Sequence, residues 1–168
     1  MELSRRATLG LAAAAIVASF GTAAFAGGGT INVSLWDSGD NALDNMGTAA
    51  PIIYGGNEDM SNATMGIKTD VKTISAGEVT FAVTNDSKST IHEMILSPAP
   101  AAGQKLPYDD NMNAVIEDEA GHLGEVSELD PGAKGALTVT LKPGKYILYC
   151  NIPGHYIMGM WTTVDVTP

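Results

Sequence analysis

Cysteine and histidine are the scarce residues of this chain, which has one Cys and three His among 168 residues. A lone Cys forms no internal disulfide, so a disulfide-stapled scaffold is excluded. Basic residues are also few, nine against nineteen acidic, for a net charge of −10. Such a balance excludes a nucleic-acid or anionic-lipid surface; it fits cations, a basic protein partner or simple solubility. No long amphipathic helix and no internal repeat can be read. The one apolar run, Leu9 to Phe20, falls short of the roughly 20 residues that span a bilayer, so no stable membrane insertion is expected.

That run belongs to an export signal. Arg5 and Arg6 form a basic head, and Ala24-Phe25-Ala26 is an A-x-A cleavage site, so residues 1–26 are expected to be removed and 27–168 to form a single domain. Ser4-Arg5-Arg6-Ala7-Thr8-Leu9 resembles a twin-arginine signal, with Thr8 where Phe is usual. Either export route leads to the periplasm, where an unpaired thiol is a liability unless it is buried or bound to metal.

The remainder reads as short strands between turn residues, the pattern of an all-β sandwich. Thr30 to Trp36 alternates Ile31, Val33 and Leu35; Glu78 to Thr84 alternates Val79, Phe81 and Val83. Met65 to Ile74 reads as two weaker strands, and Thr90 to Leu96, Ala136 to Leu141, Lys145 to Cys150 and Trp161 to Val166 complete the set. Two segments differ. Residues 37–63 form a long Gly-, Asn- and Asp-rich loop carrying Met46 and Met60, and such length favours a functional loop. Asp109 to Ala120 has helical spacing at Met112, Val115, Ile116 and Glu119, with a candidate Asp109 or Asp110 cap and Gly121 as stop. Its acidic C-terminal end, Glu117 to Glu119, opposes the helix dipole.

The only Cys, one His and a Met fall together in Cys150-Asn-Ile-Pro-Gly-His155-Tyr-Ile-Met-Gly-Met160, a loop joining the last two strands. Thiolate, imidazole and thioether together select copper, whose trigonal sites take two imidazoles, one thiolate and a weak axial Met. His92, in the apolar run Ser89 to Leu96, is the natural second imidazole. Either Met158 or Met160 could supply the thioether. Each residue alone has an ordinary reading as core or surface; their coincidence at one pole of the sandwich does not. His122, in an acidic stretch, reads as a surface residue, for which Met112, Asp118 or Glu119 would be the partners at a second copper site. Met46, Met60 and Met65 read as packing residues before they read as a soft cuprous site.

This pairing of a strand His with a C-terminal Cys, His, Met loop resembles the cupredoxins, in particular the single-domain bacterial members with rusticyanin- and auracyanin-like ligand spacing. "L-D-P-G" at Leu129 and "L-K-P-G-K-Y" at Leu141 are similar to the family as well. The resemblance implies a Greek-key β-sandwich with one short helix in a connection, and one copper ion held by His92, Cys150, His155 and Met160, the last in the axial position. It further implies that the His155 ring edge reaches the surface inside a patch of Ile152, Pro153, Tyr156, Ile157 and Met158. Many relatives carry Asn or Ser after the strand His, where it ties the ligand loops together; Glu93 stands here, and although a carboxylate near the site would favour oxidised copper, it is expected to face solvent.

The function expected is that of a periplasmic one-electron carrier with no catalytic residues, working with a redox protein such as a cytochrome that presents a basic docking surface. The alternative is copper binding, delivery or resistance, favoured by the Met-bearing loop. An enzyme of the nitrite reductase or multicopper oxidase kind needs a second copper centre and more His than this chain has.

Overall fold

Two sheets face one another in the structure, a computed structural model that describes residues 27–44 and 46–168. The export signal expected at 1–26 lies outside them. One sheet has the order β2 (Met65–Thr69), β1 (Gly28–Asp37), β4 (Gly77–Asn85), β9 (Lys134–Leu141); the other has β3 (Thr73–Ser75), β11 (Trp161–Thr167), β10 (Gly144–Tyr149), β5 (His92–Pro98), β8 (Gly124–Leu129). β1 runs parallel to β4 and β3 parallel to β11, while the other pairs are antiparallel. This is the expected cupredoxin-like β-sandwich. Among the described residues no helix is long and apolar enough to cross a membrane.

Alternation sets the core. Ile31, Val33 and Leu35 of β1 and Val79, Phe81 and Val83 of β4 meet Met94, Leu96, Leu148, Val164 and Val166 from the other sheet, all buried. Each such side chain contributes about 1.5–3 kcal/mol by leaving water. The second sheet is covered on its outer face too: Ile95, Ile147, Tyr149 and Trp161 pack there with Leu106, Val115 and Tyr156. Burial on both faces explains why Met94 to Ser97 is buried without interruption.

The covering segment departs from expectation. In place of a helix from Asp109 to Ala120, the chain makes a short hairpin of β6 (Tyr108–Asp109) and β7 (Ala114–Val115) and then a single turn, α1 (Glu117–Ala120). Asp109 does accept backbone N–H bonds, from Asn111 and Met112, but they close a turn that ends at Asn113, whose φ of 51° breaks helical propagation. Gly121 is the stop, left-handed at φ 72°. With the helix this short, Glu117, Asp118 and Glu119 occupy its first turn, where the dipole favours negative charge. β8 was not legible in advance; only Val126 of its residues is buried, so it lacks alternation.

Candidate metal centre

β5 and β10 are neighbours in the second sheet, and their copper-pole ends carry His92 and, one residue past β10, Cys150. The approach to His92 is built by Asn85, fully buried at the end of β4. Its side-chain N–H groups donate to the carbonyls of Thr90 and Leu129, and its carbonyl accepts from the Ser87 N–H. Ser87 Oγ in turn accepts from the N–H groups of Ser89 and Thr90. This turn fixes the start of β5. A bulge follows, where Glu93 alone faces two residues of β8 between the pairs His92/Leu129 and Met94/Val126.

The 150–160 loop folds back on itself. The Cys150 N–H donates to the Met160 carbonyl at 3.0 Å, and the Met160 N–H donates to the His155 carbonyl at 3.2 Å. Backbone bonds therefore tie Cys150, His155 and Met160 together. Gly154 and Gly159 make the fold possible, with φ of 86° and 93°. A Cβ at Gly154 would stand 2.9 Å from Met46 Sδ.

Three donor atoms converge at this pole. His92 Nδ1 lies 3.3 Å from His155 Nδ1, and Cys150 Sγ lies 3.4 Å from His155 Nδ1; the three residues are buried and their donors all lie within 4.8 Å of one another. Nitrogen at about 2.0 Å and sulfur at about 2.3 Å in a trigonal plane leave donors about 3.5 Å apart, so the set fits one transition-metal ion with copper's preference for imidazole and thiolate. Met160 is fully buried beside them in sequence, whereas Met158 is engaged in a backbone bridge with Ile52.

Burial sets the charge states. It pulls the His155 imidazole down to about 4, with His92 adding to the effect, and lowers His92, where Asp37 opposes it. Both rings are then neutral at pH 7, as ligation requires. Burial pushes the Cys150 thiol up to about 12, against the backbone N–H groups of Glu93 and Ile152.

Three outer residues complete the centre, and two expectations are corrected. Asp37 Oδ2 stands 3.0 Å from His92 Nε2, with both side chains almost wholly buried. The signal was present in sequence: Asp37 occupies the next inward register position after Ile31, Val33 and Leu35. Glu93 does not turn to solvent. Alternation sends it to the covered outer face of the sheet, where its Oε1 accepts the Asn151 N–H at 3.0 Å, and burial raises its carboxyl to about 7. Asn151 is held further by bonds to Glu117 Oε1 at 2.8 Å and to the Val115 carbonyl and N–H.

The second correction concerns the surface. His155 is 2 % exposed, Tyr156 and Met158 are buried, Ile152 and Ile157 are half-buried, and Pro153 alone of the expected patch is fully exposed. The cause is the 37–63 loop, which packs over the ligand loop. The Ile52 N–H donates to the Ile157 carbonyl at 2.7 Å, Trp161 Nε1 donates to the Ile52 carbonyl, Met46 seats on Gly154 and Met60 on Gly159. Met46 and Met60 thus rest on different glycines while Met65 is buried in the core. His122 is exposed, as expected, and its ring groups with the carboxylates of Glu117 and Glu125, the latter at 3.8 Å; Asp118 and Glu119 are not part of that group.

The profile of the copper binding proteins, plastocyanin/azurin family, matches residues 56–167. Auracyanin-B of Chloroflexus aurantiacus (strain ATCC 29366 / DSM 635 / J-10-fl) is 35 % identical over 72 residues, 40 % of this chain and 31 % of that protein, so the chain matches about a third of the relative's length. Among solved structures, auracyanin B superposes with a TM-score of 0.50 at 20 % identity, covering 83 % of this chain and 89 % of that one. Reduced rusticyanin gives 0.50 at 16 %, covering 82 % and 77 %. These two likenesses concern the fold.

Proposed function

Because the chain belongs to the plastocyanin/azurin family of copper-binding proteins and its cofactor is one copper ion, we propose that it is a periplasmic one-electron carrier whose copper would be held by His92, Cys150 and His155, with Met160 supplying a thioether. The observation that carries this reading is the convergence of two buried neutral imidazoles and one buried sulfur within 4.8 Å. When bound, copper supplies the single electron that is exchanged, its thiolate bond giving an efficient path and its weak thioether favouring the reduced ion.

The chain's own residues do the rest. Hydrogen bonds among Cys150, His155 and Met160, and between Asn151 and Glu93, hold the donors in place, so little rearrangement accompanies a change of copper charge. Water is kept out by the 37–63 loop over His155. Rigidity of this kind supports a carrier over a delivery protein, which must let its metal go. Among the described residues none is assigned to bind and turn over a substrate in this reading, and the chain acts as a single domain, 27–168, after loss of an export signal at 1–26.

The partner is a redox protein with a basic docking surface, a cytochrome being one example. Asp118, Glu119, Glu125 and Glu128 are exposed around the Asn151 side of the centre, and Glu117, Glu125 and Glu128 stand close enough to Glu93 to raise its carboxyl. A field of this sign speeds encounter with a basic face and weakens as salt rises.

The deciding experiment is the visible spectrum of the mature protein with one equivalent of cupric ion, repeated on Cys150→Ser. Intense thiolate charge-transfer bands between about 450 and 600 nm, absent in the variant, are expected. A colourless wild-type protein would sink the carrier.

A further inference from the structure

Asp37 ends β1 in the opposite sheet from His92, yet its carboxylate reaches the back of that ring. The contact is 3.0 Å from Oδ2 to Nε2, and the two side chains are 1 % and 0 % exposed. The other oxygen, Oδ1, accepts the Gly39 N–H at 2.8 Å, and the Ser87 and Thr90 side chains beside the carboxylate help to hold it below the usual range. Gly39, Ser87 and Thr90 thus hold a buried anion against one imidazole nitrogen. Among the described residues no Lys or Arg pairs with it; its only ion-pair partner is His92. A buried carboxylate with no cation beside it is costly, and a positive ion on the far side of the ring would offset that cost.

We propose that Asp37 is the positioning residue of the copper centre: it holds His92 as the Nε2–H tautomer, leaving the Nδ1 lone pair directed at Cys150 and His155, and its charge favours cupric over cuprous ion. The proposal rests on the copper ligation proposed above. Metal-bound imidazoles commonly donate their second N–H to an acceptor that fixes tautomer and orientation and raises ligand basicity. Here that acceptor carries a full negative charge, which interacts more strongly with a doubly than with a singly charged ion. The result is a lower reduction potential than a neutral acceptor would give. The buried Ser87 has a second role here: the turn that starts β5 also lies beside the anion behind its first residue.

The test is Asp37→Asn in the copper-loaded protein. Asn keeps the shape and an oxygen that can accept from Nε2–H but removes the charge. The ratio of cupric to cuprous affinity is expected to fall about tenfold or more, a rise in potential of about 59 mV for one electron, with the thiolate bands retained. An unchanged potential in a variant that loads copper would overturn the proposal. A second measurement serves if Asp37→Asn does not fold or load: nitrogen–proton NMR of the metal-free wild-type protein should find His92 protonated on Nε2 and bare on Nδ1, and the opposite tautomer overturns the proposal. Because that spectrum needs no metal, a wild-type protein that takes no copper would sink the carrier reading while leaving the Asp37–His92 bond to be judged separately.

Discussion

The residue after each strand-end ligand bonds to the other: the Asn151 N–H, following Cys150, donates to the Glu93 carboxylate, following His92, at 3.0 Å. Glu93 thus ties the two ligand segments together, with a group that can carry charge. Glu93→Ala should leave a half-buried N–H unsatisfied and destabilise the protein by about 1–3 kcal/mol, whereas Glu93→Gln keeps an acceptor and should lose little. Urea unfolding of both variants at pH 6 checks the difference.

The same group gives a pH dependence of known sign. Burial raises the folded-state carboxyl of Glu93 to about 7 from 4.5, so the folded state binds the extra proton between those values and stability falls as pH rises through them. Allowing for partial solvent screening, the loss is on the order of 2 kcal/mol. Metal-free Glu93→Gln should therefore gain stability relative to wild type between pH 5 and pH 8. Equal differences at the two pH values would show that Glu93 is ionised throughout.

His155 acts in the opposite direction. Its imidazole is pulled down to about 4 from 6.5 by burial and by His92, so the unfolded chain binds more protons in that interval. Stability is complete above 6.5 and is lost as pH falls towards 4, by on the order of 3 kcal/mol in the metal-free protein. Glu93 masks part of this slope in wild type. Unfolding curves of metal-free Glu93→Gln from pH 4.5 to 7 should show it unmasked, and a flat profile there would refute the assignment.

Much of this was readable from the sequence because it lay in periodic or chemically singular residues. β1 and β4 alternate strongly, β10 is an apolar run behind the Lys142-Pro-Gly144 turn, and a chain with one Cys leaves little choice of thiolate. What was hidden depends on tertiary contact. Residues 37–63 have no period that would announce them as a cover for His155. Met112, Val115 and Ile116 have helical spacing, but the hairpin wins because Asn151 bonds both backbone groups of Val115. Glu93 reads as polar and therefore exposed until the outer face of its sheet is known to be covered.

Gly154 tests that cover directly. At φ 86° an Ala is strained by about 1–2 kcal/mol, and its Cβ would also press on Met46 Sδ at 2.9 Å. Gly154→Ala should lose more than that strain alone. Adding Met46→Ala should recover only the part due to crowding, leaving the backbone cost. Chemical denaturation of the single and double variants separates the two contributions; full recovery in the double variant would mean that the backbone at 154 carries no strain.

Copper loading itself should be proton-coupled. The Cys150 thiol is pushed up to about 12 by burial, so at pH 7 the metal-free protein holds that proton, while the ligand form is the thiolate. His92 and His155 are neutral there and give up none. Binding of cupric ion should release one proton per site, and the apparent affinity should rise about tenfold per pH unit between pH 7 and 9. Calorimetry in buffers of different ionisation enthalpy counts the proton directly. Cys150→Ser should release none, and a wild-type count of zero would mean that Cys150 is already a thiolate before copper arrives.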